Sequence, residues 1–157
     1  MPTTLKQPPI PQGIKDNIVK TGPQKICLSL GVVFIVVGVS GVMMPGLMGM
    51  HLSAAHNLIH IFTGIFSLAA AYSEKLNRAT NFCLAFGSVY VLLGLSGFLM
   101  GAPGYPSLGY MGADQNLFEV IPGVLEFGTI DHFVHLVLGT IFLLAAYVWR
   151  RDKTNKS

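Results

Sequence analysis

The sequence predicts an all-α membrane protein, a four-transmembrane-helix bundle made of two tandem parallel two-helix repeats. Three observations lead to this prediction. The 157 residues are 52% hydrophobic and only 11% charged, whereas soluble domains carry roughly 25% charged residues. Four apolar segments are long enough to cross a bilayer as helices, which takes about 20 residues each. The basic residues are confined to three places that all fall on one predicted side of the membrane.

The four predicted spans cover residues 26–50, 53–72, 81–100 and 130–149. The first span contains no charged residue, whereas the fourth carries Asp131 in its first turn. Irregular backbone in contact with lipid would leave polar groups without hydrogen bonds. Each segment is therefore predicted to be a helix.

Lysine and arginine residues predict the orientation. They precede the first span, lie between the second and third spans, and follow the fourth, but residues 44–52 and 101–129 contain none. The positive-inside rule then predicts that both termini are cytoplasmic, in a cell membrane or a thylakoid-type membrane. The net charge of +3 is explained by this topology, so nucleic acid is not an expected partner.

We expect one membrane domain, residues 24–150, between a cytoplasmic N-terminal tail at 1–23 and a cytoplasmic C-terminal tail at 151–157. Composition supports these boundaries, because the tails are polar and the domain contains the apolar runs. The length of the chain is that of a single domain.

The two halves of the membrane domain resemble each other. Repeat 1 covers about residues 24–73 and repeat 2 about residues 79–150, where the outer loop, 101–129, is longer. Both copies begin on the cytoplasmic side, so the predicted repeat is parallel rather than inverted. Residues that match between the copies include Cys27 with Cys83, Gly31 with Gly87, Gly38 with Gly94, Gly41 with Gly97, His60 with His135, and Gly64 with Gly139.

Glycines in these matching positions predict close helix packing. Small residues on one helix face let backbones approach each other where lipid provides no hydrophobic driving force. We expect the glycines of the first and third spans, which lie seven residues apart in each, to pack those two helices together. The predicted packing residues are Gly31, Gly38, Gly64, Gly87, Gly94 and Gly139.

A polar cluster is predicted at the outer starts of the second and fourth spans. Residues four apart in a helix share a face, and each of these spans carries two ionisable residues at that spacing. We expect the hairpins to bring these faces together near the outer membrane surface. The candidate members of the cluster are His56, Asn57, His60, Asp131, His132 and His135.

Three interpretations of this cluster are open. In the first, its members join the two hairpins by interhelical hydrogen bonds. In the second, it binds a metal ion such as zinc, copper or iron, because imidazole and carboxylate groups suit these ions. In the third, His60 and His135 are axial ligands of haem or chlorophyll. Ionisable groups within a span are costly, which marks them as functional candidates.

The outer loop is expected to fold over the mouth of the bundle. Glu119 and Glu126 within it are expected to be solvated charges. Cys27 and Cys83 are too few for a disulfide scaffold, and we expect them to be small buried apolar residues on the reducing side of the membrane.

Residues 55–60, with the sequence AHNLIH, are followed by Gly64. Together with the spacing of Asp131, His135 and Gly139, this run resembles the signature of a bacterial family of four-helix membrane proteins of unknown function. The resemblance covers roughly residues 25–150. The sequence departs from the pattern in its long outer loop and in having a histidine one residue after Asp131, where asparagine is usual. The resemblance implies a multi-span bacterial membrane protein and no particular activity.

No phosphate-binding glycine loop, nucleophile elbow or soluble catalytic triad is recognisable, so no catalytic residue is predicted and a non-enzymatic role is favoured. The leading hypothesis is an accessory or assembly subunit of a larger membrane complex. Its expected partners are the lipid bilayer and other membrane subunits or a second copy of the chain. The alternatives are a protein that binds a metal, haem or chlorophyll through the polar cluster, and a small transporter.

Overall fold

The computed structural model describes residues 19–107 and 112–155, and the protein is mostly helical (70%). Each of its four helices is long and apolar enough to cross a membrane, which confirms the predicted helical spans. The predicted N-terminal tail lies mostly outside the described residues. The helices are α1 (Gly22–Met43), α2 (Ala54–Ala71), α3 (Leu76–Met100) and α4 (Thr129–Thr154).

The helix boundaries depart from the predicted spans at four ends, one of which is the start of α3, at Leu76 rather than at residue 81. A capping box starts α1 before residue 26: Thr21 Oγ1 accepts from Gln24 N at 3.2 Å, and Thr21 N donates to Gln24 Oε1 at 3.0 Å. That helix ends early because Pro45 cannot continue it, and a 3-10 turn, Leu47–Gly49, follows. At the other end of the chain, α4 continues through the basic residues into the predicted C-terminal tail as far as Thr154.

The loop between α3 and α4 contains a small sheet that adds to the predicted all-α fold. Its strands are β1 (Ala102–Gly104), β2 (Asp114–Ile121) and β3 (Leu125–Phe127), antiparallel and in the order β1-β2-β3. We call the end of the bundle that carries this sheet and the starts of α2 and α4 the sheet end. The opposite end, where α1 and α3 begin, is the termini end.

Helices α1 and α2 form one hairpin, and α3 and α4 form the other. A Cβ atom on Gly31 of α1 would lie 3.1 Å from the carbonyl oxygen of Gly64 in α2. The second hairpin repeats this contact, because a Cβ atom on Gly87 of α3 would lie 3.0 Å from the carbonyl oxygen of Gly139 in α4. Backbones therefore touch within each hairpin at matching positions.

Two further glycines pack in the same way. A Cβ atom on Gly38 would lie 2.7 Å from Asn57 O, and one on Gly94 would lie 2.8 Å from His132 O. The expectation that the glycines of the first and third helices pack those helices against each other is therefore wrong. They face α2 and α4, since the backbones approach most closely inside each hairpin.

Side chains rather than backbones fill the space between the hairpins. Phe34 of α1 packs against Phe142 of α4, with ring centroids 6.2 Å apart, and against Tyr90 of α3 at 5.4 Å. All three residues are buried. Large apolar side chains also cover the outside of all four helices, as a helix in lipid requires; examples are Val36, Phe66, Leu92 and Val137.

Candidate functional site

The start of α2 is tied to the sheet through Ser53, which caps the helix. Its Oγ atom accepts from His56 N at 3.3 Å and donates to Val124 O, in the turn between β2 and β3, at 2.8 Å. Serine is a favoured N-cap because its oxygen satisfies an amide that has no partner within the helix. One side chain therefore fixes both a helix start and the sheet above it.

Asp131 links the two hairpins. Its Oδ2 atom accepts from His51 N, in the loop between α1 and α2, at 3.0 Å, and from Gly128 N, just before α4, at 2.8 Å. The carboxylate lies in the first turn of α4, where the helix dipole stabilises a negative charge. The predicted residue is thus in the network, and its partners are backbone amides.

His51 and Asp114 form a second link, which the sequence did not predict. His51 Nε2 lies 3.4 Å from Asp114 Oδ2, and the His51 side chain is only 1% exposed. The carboxylate also accepts from Thr129 Oγ1 at 2.7 Å and from Asn116 N at 2.8 Å. The sheet is therefore held to the start of α4 and to the α1–α2 loop by one acidic residue.

The surroundings of Asp114 favour its charged form. Partial burial alone would raise the pKa of this carboxyl group, but hydrogen bonds from Thr129, Asn116 and His51 outweigh it and lower the pKa below its ordinary value. The group therefore stays negative near neutral pH, as its bonds to amide and hydroxyl donors require.

Three imidazole rings come together below this network. The ring centroid of His56 lies 4.4 Å from that of His60 and 5.9 Å from that of His135. Phe127 of β3 stands edge-on to His56 at 4.9 Å and to His135 at 5.0 Å, and Phe34 stacks on His60 at 5.4 Å. The rings are therefore enclosed by aromatic side chains from the helices and the sheet.

Each of these imidazoles has a nitrogen without a hydrogen bond. His56 Nδ1 donates to His51 O at 2.8 Å, which leaves Nε2 of the neutral ring as an acceptor. His56 Nε2, His60 Nδ1 and His135 Nδ1 are buried and make no hydrogen bond. Buried polar atoms in this state are rare and call for an explanation, such as a bound ligand or water.

Two apolar cavities flank the imidazoles. One, of about 130 Å³, lies between α2, α3 and the sheet, and all three rings line it. The other, of about 220 Å³, lies between α1 and α4 and reaches His60. The smaller is close to the roughly 150 Å³ of an engineered cavity that binds benzene. Within the described ranges, no group of three or more His, Cys, Asp or Glu side chains is arranged to hold a metal ion.

Asn57 and His132 lie apart from the three rings. Asn57 Nδ2 donates to Leu52 O at 3.1 Å, and His132 Nε2 donates to Asn116 O at 2.7 Å. The six candidate residues therefore divide into three groups: a triad of imidazoles (His56, His60 and His135), one carboxylate that joins the hairpins (Asp131), and two side chains that bond to loop backbone (Asn57 and His132).

Glu126 differs from its prediction. It is only 2% exposed, and its two carboxylate oxygens accept from Ser107 N and Gly123 N, each at 2.7 Å. The expectation of a solvated charge is wrong for this residue, because the sheet folds back on it and supplies two amide donors. Glu119 is exposed, as expected.

The four apolar helices, with a polar network concentrated at one end, define the class of multi-pass membrane proteins. Residues 29–99 match the model of a family described as a short repeat of unknown function (DUF308). The match confirms the resemblance to a membrane family of unknown function, and it runs from α1 to near the end of α3. No curated protein and no solved structure matches the chain.

Proposed function

We propose that this chain is a non-catalytic, multi-pass membrane protein that acts as an accessory or assembly subunit of a larger membrane complex. The observation that supports this most is the use of its polar groups. Asp131 and Glu126, both buried, bond to amides of the same chain. Groups bonded in this way hold the loops and helices of the sheet end together.

The apolar exterior supports a role within the membrane. Large side chains on all four helices are exposed, among them Phe62 at 56% and Leu144 at 56%. Lipid tails pack against such apolar surfaces. The helices of other membrane subunits can do so too, by close van der Waals contact. A rigid frame with an apolar exterior suits a protein whose task is to hold neighbouring subunits.

The experiment compares the complex before and after the polar network is weakened. Membranes that contain the chain are extracted in mild detergent and run on a native gel, where the chain should migrate within a larger complex. Asp131→Asn should reduce that complex, because it perturbs the link between hairpins. Glu119→Gln, the same chemical change at an exposed site of the sheet, should leave it intact. Substrate turnover or ion flux by the isolated chain in liposomes would contradict the proposal.

The proposed topology places both termini and the α2–α3 loop in the cytoplasm and the sheet end outside. The distribution of basic residues supports it, and the matching glycine contacts of the two hairpins support a tandem parallel repeat. In a chain whose own cysteines are replaced, a membrane-impermeant maleimide added outside intact cells should label Glu119→Cys but not Lys75→Cys. Labelling of both positions, or of the second alone, would contradict this topology.

A second candidate function is binding of a metal ion, haem or chlorophyll by the imidazole triad. The unpartnered nitrogens of His56, His60 and His135 favour it. Protein purified in mild detergent would then carry a metal or visible absorbance that His60→Ala removes. His132→Ala is the matched control, since that ring packs against Phe98 and does not line the cavity that the three imidazoles share. Purified protein without metal or colour, or equal content in both variants, would reject this candidate.

A further inference from the structure

The two cysteines of the chain meet in the core near the termini end. Cys27 lies in the second turn of α1, and Cys83 lies in the first half of α3. Both are fully buried (0% exposed), and their Sγ atoms are 3.5 Å apart. The chain has no other cysteine, so each thiol has one possible partner within the molecule.

Small residues surround the two thiols and let the helices come close. Ala71, Ala79 and Ala146 are fully buried beside them. Cys27 Sγ donates to Ala79 O at 3.8 Å, a long contact that is weak for a thiol. The thiols therefore make only weak hydrogen bonds to backbone carbonyls, in addition to their contact with each other.

A disulfide requires the two sulfur atoms to move to about 2.05 Å, with Cβ atoms roughly 3.5–4.5 Å apart. Sulfur atoms already in van der Waals contact need a shift on the order of 1.5 Å to reach that separation. The neighbouring alanines have no side chain long enough to obstruct such a shift. Because the site is buried in apolar surroundings, only a reagent that enters the membrane can reach it.

We propose that Cys27 and Cys83 form an intramolecular disulfide when a membrane-permeant two-electron acceptor of the quinone or azo class oxidises them. Both S–H bonds break and one S–S bond forms. The two protons and two electrons pass to the acceptor, so a quinone becomes a hydroquinone and an azo compound becomes a hydrazine. The reverse reaction consumes a dithiol or another two-electron donor.

The disulfide would connect the two hairpins at the end where long thiol contacts run between them, from Cys27 Sγ to Ala79 O at 3.8 Å and from Cys83 Sγ to Pro23 O at 3.9 Å. At the sheet end, Asp131 already joins α4 to the α1–α2 loop. At the termini end, Gln24 Nε2 donates to Ala71 O at 3.0 Å and Ser73 O at 3.1 Å, but these bonds lie within the first hairpin. Oxidation would thus join α1 to α3 covalently and constrain both ends of the bundle. In a reducing compartment such a bond is transient and reports the redox state.

The test treats membranes that contain the full chain with diamide, a membrane-permeant azo compound. Free thiols are then blocked with maleimide under denaturing conditions, and the intact chain is weighed by mass spectrometry. The oxidised chain should carry no maleimide and be lighter by two hydrogen atoms than the reduced chain. Untreated or dithiothreitol-reduced chain should carry two maleimides. Thermal unfolding of the oxidised chain in detergent should shift upward by roughly 5–10 °C.

A rearranged variant provides the matched control. Cys27→Ser combined with Ser29→Cys keeps the composition but moves one thiol to an exposed position of α1. This variant should keep two reactive thiols after the same treatment. The proposal is overturned if the native chain still carries two maleimides after diamide treatment or forms a covalent dimer instead. It is also overturned if the rearranged variant forms an intramolecular disulfide equally well.

Discussion

The two helical hairpins pack alike but differ where they meet the loops of the sheet end. In each, a glycine near the end of the first helix leaves room for a polar side chain of the second helix: Gly41 for Asn57, and Gly97 for His132. Asn57 bonds to a carbonyl of its own short loop, whereas His132 bonds to a carbonyl of β2. The polar residue thus differs with the loop that it must reach.

A second matched position shows the same divergence. His56 in the first hairpin aligns with Asp131 in the second. His56 donates one hydrogen bond to its own loop, and Asp131 accepts two, one of them from the other hairpin. His56 therefore bonds within its own hairpin, whereas Asp131 joins the two hairpins. The short loop of the first hairpin provides His51 N for this carboxylate, and the long loop of the second hairpin provides Gly128 N.

The largest expected effect is at Asp131. Asp131→Ala leaves the amides of His51 and Gly128 buried without an acceptor, and each such group costs about 1–3 kcal/mol. The free energy of unfolding should fall by roughly 2–5 kcal/mol, measured by thermal or denaturant unfolding in detergent. Asp131→Asn keeps one acceptor oxygen and should cost less. Equal losses for both variants would show that charge, and not the acceptor, stabilises this end.

The next effect separates the two glycine pockets. A Cβ atom on Gly97 would overlap the rigid imidazole of His132, whereas one on Gly41 would meet the end of the Asn57 amide. Gly97→Ala should destabilise the protein by about 1–3 kcal/mol, and Gly41→Ala by less. In a double-mutant cycle, His132→Ala should recover part of the loss caused by Gly97→Ala. Additive losses would contradict direct overlap.

The smallest effect is a dependence of stability on acid pH that arises from Asp114, in the long loop of the second hairpin. The pKa of Asp114 is lower in the folded protein than its ordinary value of 3.8. Its contribution to stability is therefore present above that value and is lost as the pH falls through the lower, folded pKa. Unfolding midpoints should fall as the pH drops from about 5 to below the ordinary value of 3.8, and Asp114→Asn should reduce that fall. An unchanged pH dependence in Asp114→Asn would exclude this carboxyl as its source.

The helices were predictable because lipid imposes continuous apolar segments, and these are visible in sequence. The end of α1 was missed because Met44 to Met50 is apolar enough to continue a span, while Pro45 stops the helix. The sheet was missed because β1 and β3 have three residues each and β1 contains Pro103. Strands that short have no readable alternation of apolar and polar residues, and β2, although eight residues long, begins with three polar residues and does not alternate.

The ring contacts within α2 could be predicted from the sequence, but His51, Asp114 and the hydrogen bonds of the candidate site could not. Helical spacing of four residues places His56 and His60 on one face, and ring contact between them follows from it. The partners of Asp131 are backbone amides, which no pattern of side chains can reveal. The contact of His51 with Asp114 joins two loops that are far apart in sequence, so it depends on how the hairpins and sheet assemble.

The glycine contacts have a consequence for motion. Inside each hairpin, backbone lies against backbone at the glycines, so separating α1 from α2 would lose the close packing that holds helices together in lipid. Across the seam between the hairpins, away from the Asp131 link, rotatable side chains such as Phe34 and Phe142 meet, and these can repack during small sliding displacements. Any rearrangement of this protein should therefore move whole hairpins as rigid bodies along that seam.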